Sequence, residues 1–242
     1  MNNEFEREAM LIGEQAVEKL NNSYVALFGV GGVGSYAAEA LARAGVGKIL
    51  LVDNDTVSLS NINRQLCALH STIGKYKADV VAERLADINP NIKITVRKEF
   101  LLPENADSFD FSEFDYVIDA IDTVSGKLAI AEGCTKAGTQ MISCMGTGNK
   151  LDPSAFRVTD ISKTNTCPLA RVMRRELRAR GINHLPVVYS VEEAIAPAQK
   201  ITADNGKAVP ASISFVPSVA GLIAASEAIK YIIGKEEQNG KA

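Results

Sequence analysis

Four kinds of side chain with chemical potential fall close together in the first half of the chain. They are a run of glycines (Gly29, Gly31, Gly32, Gly34), carboxylates at the ends of apolar runs (Asp53, Asp122), an arginine in a polar loop (Arg64), and a lysine opening a helical pattern (Lys77). The glycines follow the apolar run Val25 to Phe28, so a buried strand must turn sharply into a helix that opens near Ser35. Such a turn lets the backbone approach an anion without a Cβ in the way, and the helix's free N–H groups and positive dipole end stabilise its charge. Asp53 closes the next apolar run, Lys48 to Val52, about twenty residues after the turn, where a carboxylate meets ribose hydroxyls. A nucleotide is the first expectation, and this spacing alone fits NAD, FAD and ATP equally.

The remaining polar residues bear on that choice. Arg64, between Asn63 and Gln65, reads either as a surface arginine or as a guanidinium whose fork of donors meets phosphate oxygens. A lysine on a first helical turn, as at Lys77, is electrostatically unfavourable unless an anion lies nearby. Asp122 is a candidate Mg²⁺ ligand, because that ion takes one or two carboxylates plus substrate phosphates, whereas Asp119 reads as a structural hydrogen-bond acceptor or a second metal candidate. Together these groups suit the charged β and γ phosphates of ATP, which a dinucleotide site does not require.

The elements that must position them alternate. Short helices broken at Gly13 precede the first strand; a helix over Lys75 to Ile88 stops at Asn89-Pro90-Asn91, and a strand through Ile92, Ile94 and Val96 follows. Tyr116 to Ile121 reads as a buried strand ending at Asp122, Thr123 as the cap of the helix running to Ala137, and Met141 to Met145 as another strand. Such alternation specifies an α/β fold, a doubly wound, mainly parallel Rossmann-like sheet with its crevice at the carboxyl ends of the strands. Beyond Gly146 come a segment at Phe156 to Asp160, a basic helix Pro168 to Arg180, strands Pro186 to Tyr189 and Ser212 to Val216, and a final helix, which predict added antiparallel strands. Residues 1–234 read as one domain, with the polar tail 235–242 expected to be disordered.

A net charge of −3 does not suggest a general nucleic-acid binder, which is usually basic, so RNA contact would need a local basic patch. The polar start MNNEFEREAM predicts no secretion signal and hence a cytoplasmic protein, and the polar residues inside Val216 to Ile233 predict a core- or dimer-facing helix and no membrane span. The four cysteines form no C-x-x-C pair, against structural zinc and disulfides. Cys67, Cys134 and Cys144 read as core residues; Cys167, in a polar run before Pro168, reads as either a core or a reactive thiol.

GVGGVGS from Gly29 to Ser35, D-x-D-x-V at Asp53, Asp55 and Val57, N-x-N-R-Q from Asn61 to Gln65, Lys77 and V-I-D-A-I-D from Val117 to Asp122 together resemble the ubiquitin-activating-type adenylyltransferases of the ThiF/MoeB superfamily. That resemblance implies ATP and Mg²⁺ activating a carboxylate as an acyl-adenylate with release of pyrophosphate. It implies nucleotide and metal contacts from Gly31, Asp53, Asp55, Asn63, Arg64, Gln65, Lys77 and Asp122. Arg7 resembles the family arginine that crosses a homodimer to the partner's ATP phosphate, which makes Arg7, Arg64, Lys77 and Asp122 the implied catalytic set.

Within the superfamily the second half separates the branches. Enzymes that adenylate a ubiquitin-like sulfur-carrier protein commonly hold two C-x-x-C pairs, and some end in a rhodanese domain; this chain has neither. Met145 to Pro153, Val158 to Thr164 and Cys167 to Gly181 look like the tRNA threonylcarbamoyladenosine dehydratases, which implies a tRNA substrate whose threonylcarbamoyl carboxylate is adenylated and then cyclised. Arg171, Arg174, Arg175 and Arg178 would then contact tRNA phosphates, with Val172 and Leu177 anchoring the helix; otherwise they form a solvated face. Some relatives carry a cysteine just before the segment Val187 to Glu193, where Leu185 and Pro186 stand here. A sulfur-carrier or sulfur-donor protein remains the alternative partner.

Overall fold

The computed structural model describes residues 4–202, 206 and 208–234. Two short helices, α1 (Glu6–Ile12) and α2 (Glu14–Asn22), meet at Gly13, whose φ of 86° permits the break. There follow β1 (Tyr24–Phe28), α3 (Gly34–Arg43), β2 (Lys48–Val52), α4 (Lys77–Ile88), β3 (Lys93–Arg97), β4 (Tyr116–Asp119), α5 (Val124–Ala137) and β5 (Met141–Cys144). The C-terminal part adds β6 (Phe156–Asp160), α6 (Pro168–Ala179), β7 (Pro186–Ser190) and α7 (Phe215–Ile232).

The strands form one seven-stranded sheet in the order β3-β2-β1-β4-β5-β7-β6. Every neighbouring pair is parallel except β6 and β7, which run antiparallel at the edge. The doubly wound sheet with an antiparallel addition is therefore as the alternation predicts. β1 sits centrally, and its alternate residues serve opposite faces: Val25 and Leu27 join the core under α3, α4 and α7, Ala26 and Phe28 the core under α5 and α6. Phe109, Phe111 and Phe114, from the acidic loop after β3, complete the second core, with Phe28 stacked on Phe111 at 5.9 Å between ring centroids.

Three local expectations are corrected. Ser212 to Val216 is not a strand: α7 begins at Phe215. Pro217 lies in its first turn, where a missing N–H costs nothing, although an apolar run before proline reads as extended. β4 ends at Asp119, so Asp122 stands in the loop before α5 rather than at the strand's last position. Thr123 is the N-cap of α5 by position, but its side chain makes no capping hydrogen bond. The tail 235–242 lies outside the described residues.

By length and composition alone α7 could cross a bilayer. It instead lays Ala220, Gly221, Ala224, Ala225 and Ala228 against the fold. At Gly221 the approach to α3 is so close that a Cβ would lie 2.1 Å from the Val33 carbonyl oxygen, a contact only glycine allows.

Candidate nucleotide-activating site

A cleft of about 380 Å³ opens at the carboxyl ends of β1, β2 and β4, where the chain's connections diverge to either side of β1. Its floor is the glycine turn. Gly29, Gly31 and Gly32 line it, and Gly29 leaves β1 with φ of 85°, its N–H donating to the Val52 carbonyl at 2.8 Å. Gly34 does not line the cleft: it packs α3 onto the turn, where a Cβ would sit 1.8 Å from the Gly29 oxygen.

Asp53 closes the turn from β2. Its Oδ2 accepts from the Val30 N–H at 2.8 Å and its Oδ1 from the Asp55 N–H at 2.8 Å. Burial raises its pKa, opposed by those two N–H groups and by the Lys77 charge. Lys77, the first residue of α4, is buried, lines the cleft, and places its Nζ 2.7 Å from Asp55 Oδ2. The cation at this helix N-terminus is thus paired with a carboxylate of the chain itself, Asp55, at the rim of the cleft.

The N-x-N-R-Q segment divides its labour. Asn61, Arg64 and Gln65 line the cleft, whereas Asn63 does not. Asn63 supports instead: its Oδ1 accepts from Arg64 Nη1 at 2.9 Å and its Nδ2 donates to the Ser212 carbonyl at 3.0 Å. Arg64 Nη1 also reaches the Ser60 carbonyl at 2.8 Å, which leaves the other guanidinium nitrogens for an anion.

On the far wall, Asp122 is exposed and lines the cleft in the loop after β4. Beneath it Asp119 is fully buried and structural. Its Oδ2 lies 3.0 Å from Lys127 Nζ and accepts the Ser143 hydroxyl, and its Oδ1 accepts from the Ile121 N–H at 3.3 Å. Lys127, also fully buried, donates to Ser143 Oγ at 3.2 Å and to the Cys144 carbonyl at 2.7 Å. Sequence reasoning missed Lys127, since a lysine in a helix reads as surface; its only signal was its place inside the apolar run after Gly126.

Also missed were Glu99, Phe100 and Leu101, which line the cleft from the loop after β3, and Thr147 and Ser212. Phe100 is 54% exposed, on a loop held by Asn105 Nδ2, which donates to Glu99 Oε2 and the Phe100 carbonyl at 2.9 Å each, while Arg97 stacks 3.6 Å above the Phe109 ring. Nothing in the residue pattern distinguished this wall from an ordinary acidic loop.

Arg7 lies exposed on α1 and does not line this chain's cleft. On α6, Ala170, Met173 and Leu177 are buried, so Met173 rather than Val172 shares the anchoring with Leu177. Arg171, Arg175 and Arg178 are exposed, but Arg174 turns inward and donates to the Thr164 carbonyl at 2.7 Å and hydroxyl at 2.6 Å. All four cysteines are buried, Cys167 included. Burial pushes the Cys67 thiol up to about 11, that of Cys144 to about 12, and that of Cys134 higher still, so these three are not nucleophiles at neutral pH.

A central parallel sheet, a glycine turn and a cleft carrying arginine, lysine and an exposed aspartate define an α/β domain of the nucleotide-binding class. The chain belongs to the ThiF family, whose model matches residues 5–242. It is 46% identical over 233 residues to tRNA threonylcarbamoyladenosine dehydratase of Bacillus subtilis (strain 168), covering 92% of each chain. To the enzyme of the same name from Escherichia coli (strain K12) it is 36% identical over 252 residues, covering 96% of this chain and 94% of the other. The crystal structure of the E. coli dehydratase, TcdA, in complex with ATP superposes with a TM-score of 0.88 at 35% identity, covering 98% of this chain and 96% of that one.

Proposed function

We propose that the chain uses ATP to adenylate the carboxylate of threonylcarbamoyladenosine in tRNA and then lets that group cyclise. The carboxylate oxygen attacks the α-phosphorus and pyrophosphate leaves; the ureido nitrogen attacks the activated carbonyl, loses its proton, and AMP leaves. The net change in the nucleoside is the loss of one water. Conversion of a poor oxygen leaving group into AMP makes an enzyme nucleophile unnecessary, in keeping with buried cysteines and raised thiol pKa values. The observation that carries the reading is the convergence of Arg64, Lys77 and Asp122 on one glycine-floored cleft, in a chain similar along nearly its whole length to such dehydratases.

In this reading Asp53 meets the ribose, Val52, Phe100 and Leu101 flank the base, and Arg64 and Lys77 meet the phosphates. Asp122 fits Mg²⁺ as a single exposed carboxylate beside a phosphate turn; among the described residues no group of three acidic, His or Cys side chains gathers to hold a metal alone. Bound there, the ion would neutralise phosphate charge. Arg171, Arg175 and Arg178 form the tRNA-facing stripe. Arg7 reaches the active site of a second copy: α1 buries none of its own residues and leaves Met10 and Leu11 exposed, an apolar face suited to a homodimer.

The test is exchange of labelled pyrophosphate into ATP. Exchange is expected only with tRNA bearing threonylcarbamoyladenosine. Exchange driven instead by a carrier protein with a Gly-Gly tail would replace this reading.

A further inference from the structure

We infer that the substrate's carboxylate enters the cleft between Thr147 and Ser212, and that Asn149 is the positioning residue that holds this entrance; the inference rests on the dehydratase reading above. The nucleotide leaves part of the cleft lining unused. Asp53, Glu99, Phe100 and Leu101 lie on the β2 and β3 side of β1, and the glycine turn, Arg64 and Lys77 lie at the centre. Asp55, Asn61 and Gln65 also line the cleft, as do Asp122 and Thr123 in the loop after β4. Beyond these stand Thr147, three residues after β5 on the opposite side of β1, and Ser212, just before α7, neither of which has a nucleotide or metal role in that reading.

Neither residue belongs to a regular element, so something must hold them in place. Asn149 does so from three directions. Its N–H donates to the Ala211 carbonyl at 2.7 Å, its Oδ1 accepts from the Ala211 N–H at 2.8 Å, and its carbonyl accepts from the Ile195 N–H at 2.8 Å. To do this it adopts φ of 59°, the only positive φ at a non-glycine among the described residues, a conformation that asparagine tolerates better than most. Its neighbour Gly148 brings the two loop segments of the clamp together, since a Cβ there would lie 2.6 Å from Pro210 Cβ. The next residue, Lys150, is buried and donates through Nζ to the Glu192 carbonyl, and Glu192's carboxylate accepts the N–H groups of Leu151 and Asp152 at 2.9 Å each. The far side of the entrance is tied to the phosphate loop through Asn63 and the Ser212 carbonyl.

The same segment joins the basic helix. A Cβ on Gly146 would lie 3.7 Å from Cys167 Sγ and 4.0 Å from Leu169 Cβ, so α6 starts against the residue that precedes Thr147. A polyanion lying along Arg171, Arg175 and Arg178 would thus reach the entrance at the helix's first turn.

The experiment is steady-state kinetics of the full chain with ATP and tRNA bearing threonylcarbamoyladenosine, for wild type, Asn149→Gly and Asn149→Asp, with ATP affinity measured separately by titration. Glycine keeps the backbone conformation and removes the acceptor for the Ala211 N–H; aspartate keeps both. Asn149→Gly is expected to raise KM for tRNA about tenfold with ATP affinity within about twofold of wild type, and Asn149→Asp to restore tRNA KM to within about threefold. An unchanged tRNA KM in Asn149→Gly, or an equal loss of ATP affinity, would overturn the assignment. Should Asn149→Gly not fold, Thr147→Val supplies the same comparison: a raised tRNA KM with ATP binding kept supports the entrance, and no change overturns it. Wild-type protein that leaves tRNA unaltered would instead remove the dehydratase reading itself.

Discussion

Replacement of Lys127 by Met separates what holds the site from what acts in it. Lys127 and Asp119 are both fully buried, and the methionine would leave the Asp119 carboxylate and the Cys144 carbonyl without their cationic partner. Removal of one member of a buried ion pair costs about 3–5 kcal/mol, far above the ~1 kcal/mol of a surface pair. At about 2–4 °C per kcal/mol for a chain of this size, the melting temperature should fall by about 6–20 °C. Because Asp119 also accepts the Ile121 N–H, the loop carrying Asp122 should loosen, and ATP affinity should fall with stability. Urea unfolding followed by circular dichroism and tyrosine fluorescence checks this, the chain having no tryptophan. The double variant Asp119→Leu with Lys127→Met, which removes both charges, should recover at least half of the loss. A single-variant loss below about 1 kcal/mol would refute the claim that this buried pair holds the site together.

Asp122→Asn should leave the fold intact, since the side chain is exposed, and should abolish metal-dependent turnover; full activity would move the metal role off this residue. Arg171→Gln with Arg178→Gln should weaken tRNA binding and lower its salt slope by roughly one unit per lost contact, with ATP binding unchanged. Arg174→Gln should instead lower thermal stability with the slope kept, because its guanidinium is spent on Thr164; the reverse pattern would exchange their roles. Burial raises the Asp53 pKa, so its neutral form is favoured more than in free aspartate and protonation begins at a higher pH. ATP affinity should therefore decline on acidification before the ordinary aspartate range is reached, an inflection that titrations across pH should find in wild type and lose in Asp53→Asn.

The nucleotide cleft was legible because its parts obey local rules. A glycine turn after an apolar strand and a carboxylate at the next strand's end need only the sequence; Arg64 stood in a polar loop with little reason to serve packing, and Lys77 at a helix start where a cation needs an anion nearby. Misreadings arose where tertiary contacts override local ones. Phe215 to Pro217 begins a helix because Pro217 falls in a first turn, a placement that the preceding apolar run disguised. Asn63 and Asn61 are indistinguishable in a motif, yet one holds Arg64 and the other lines the cleft. Arg174 shares helical spacing with its neighbours but meets Thr164, ten residues earlier, which no periodicity reveals. The clamp at Asn149 depends on three segments far apart in the chain, and its positive φ becomes visible only once they meet.

The central claim is tested most directly by mass spectrometry of nucleosides from tRNA bearing threonylcarbamoyladenosine, incubated with the protein, ATP and Mg²⁺. The account predicts a modified adenosine lighter by one water, formed only with ATP and matched by AMP release. An unaltered nucleoside, with ATP consumed only when a Gly-Gly-tailed carrier protein is supplied, would contradict it.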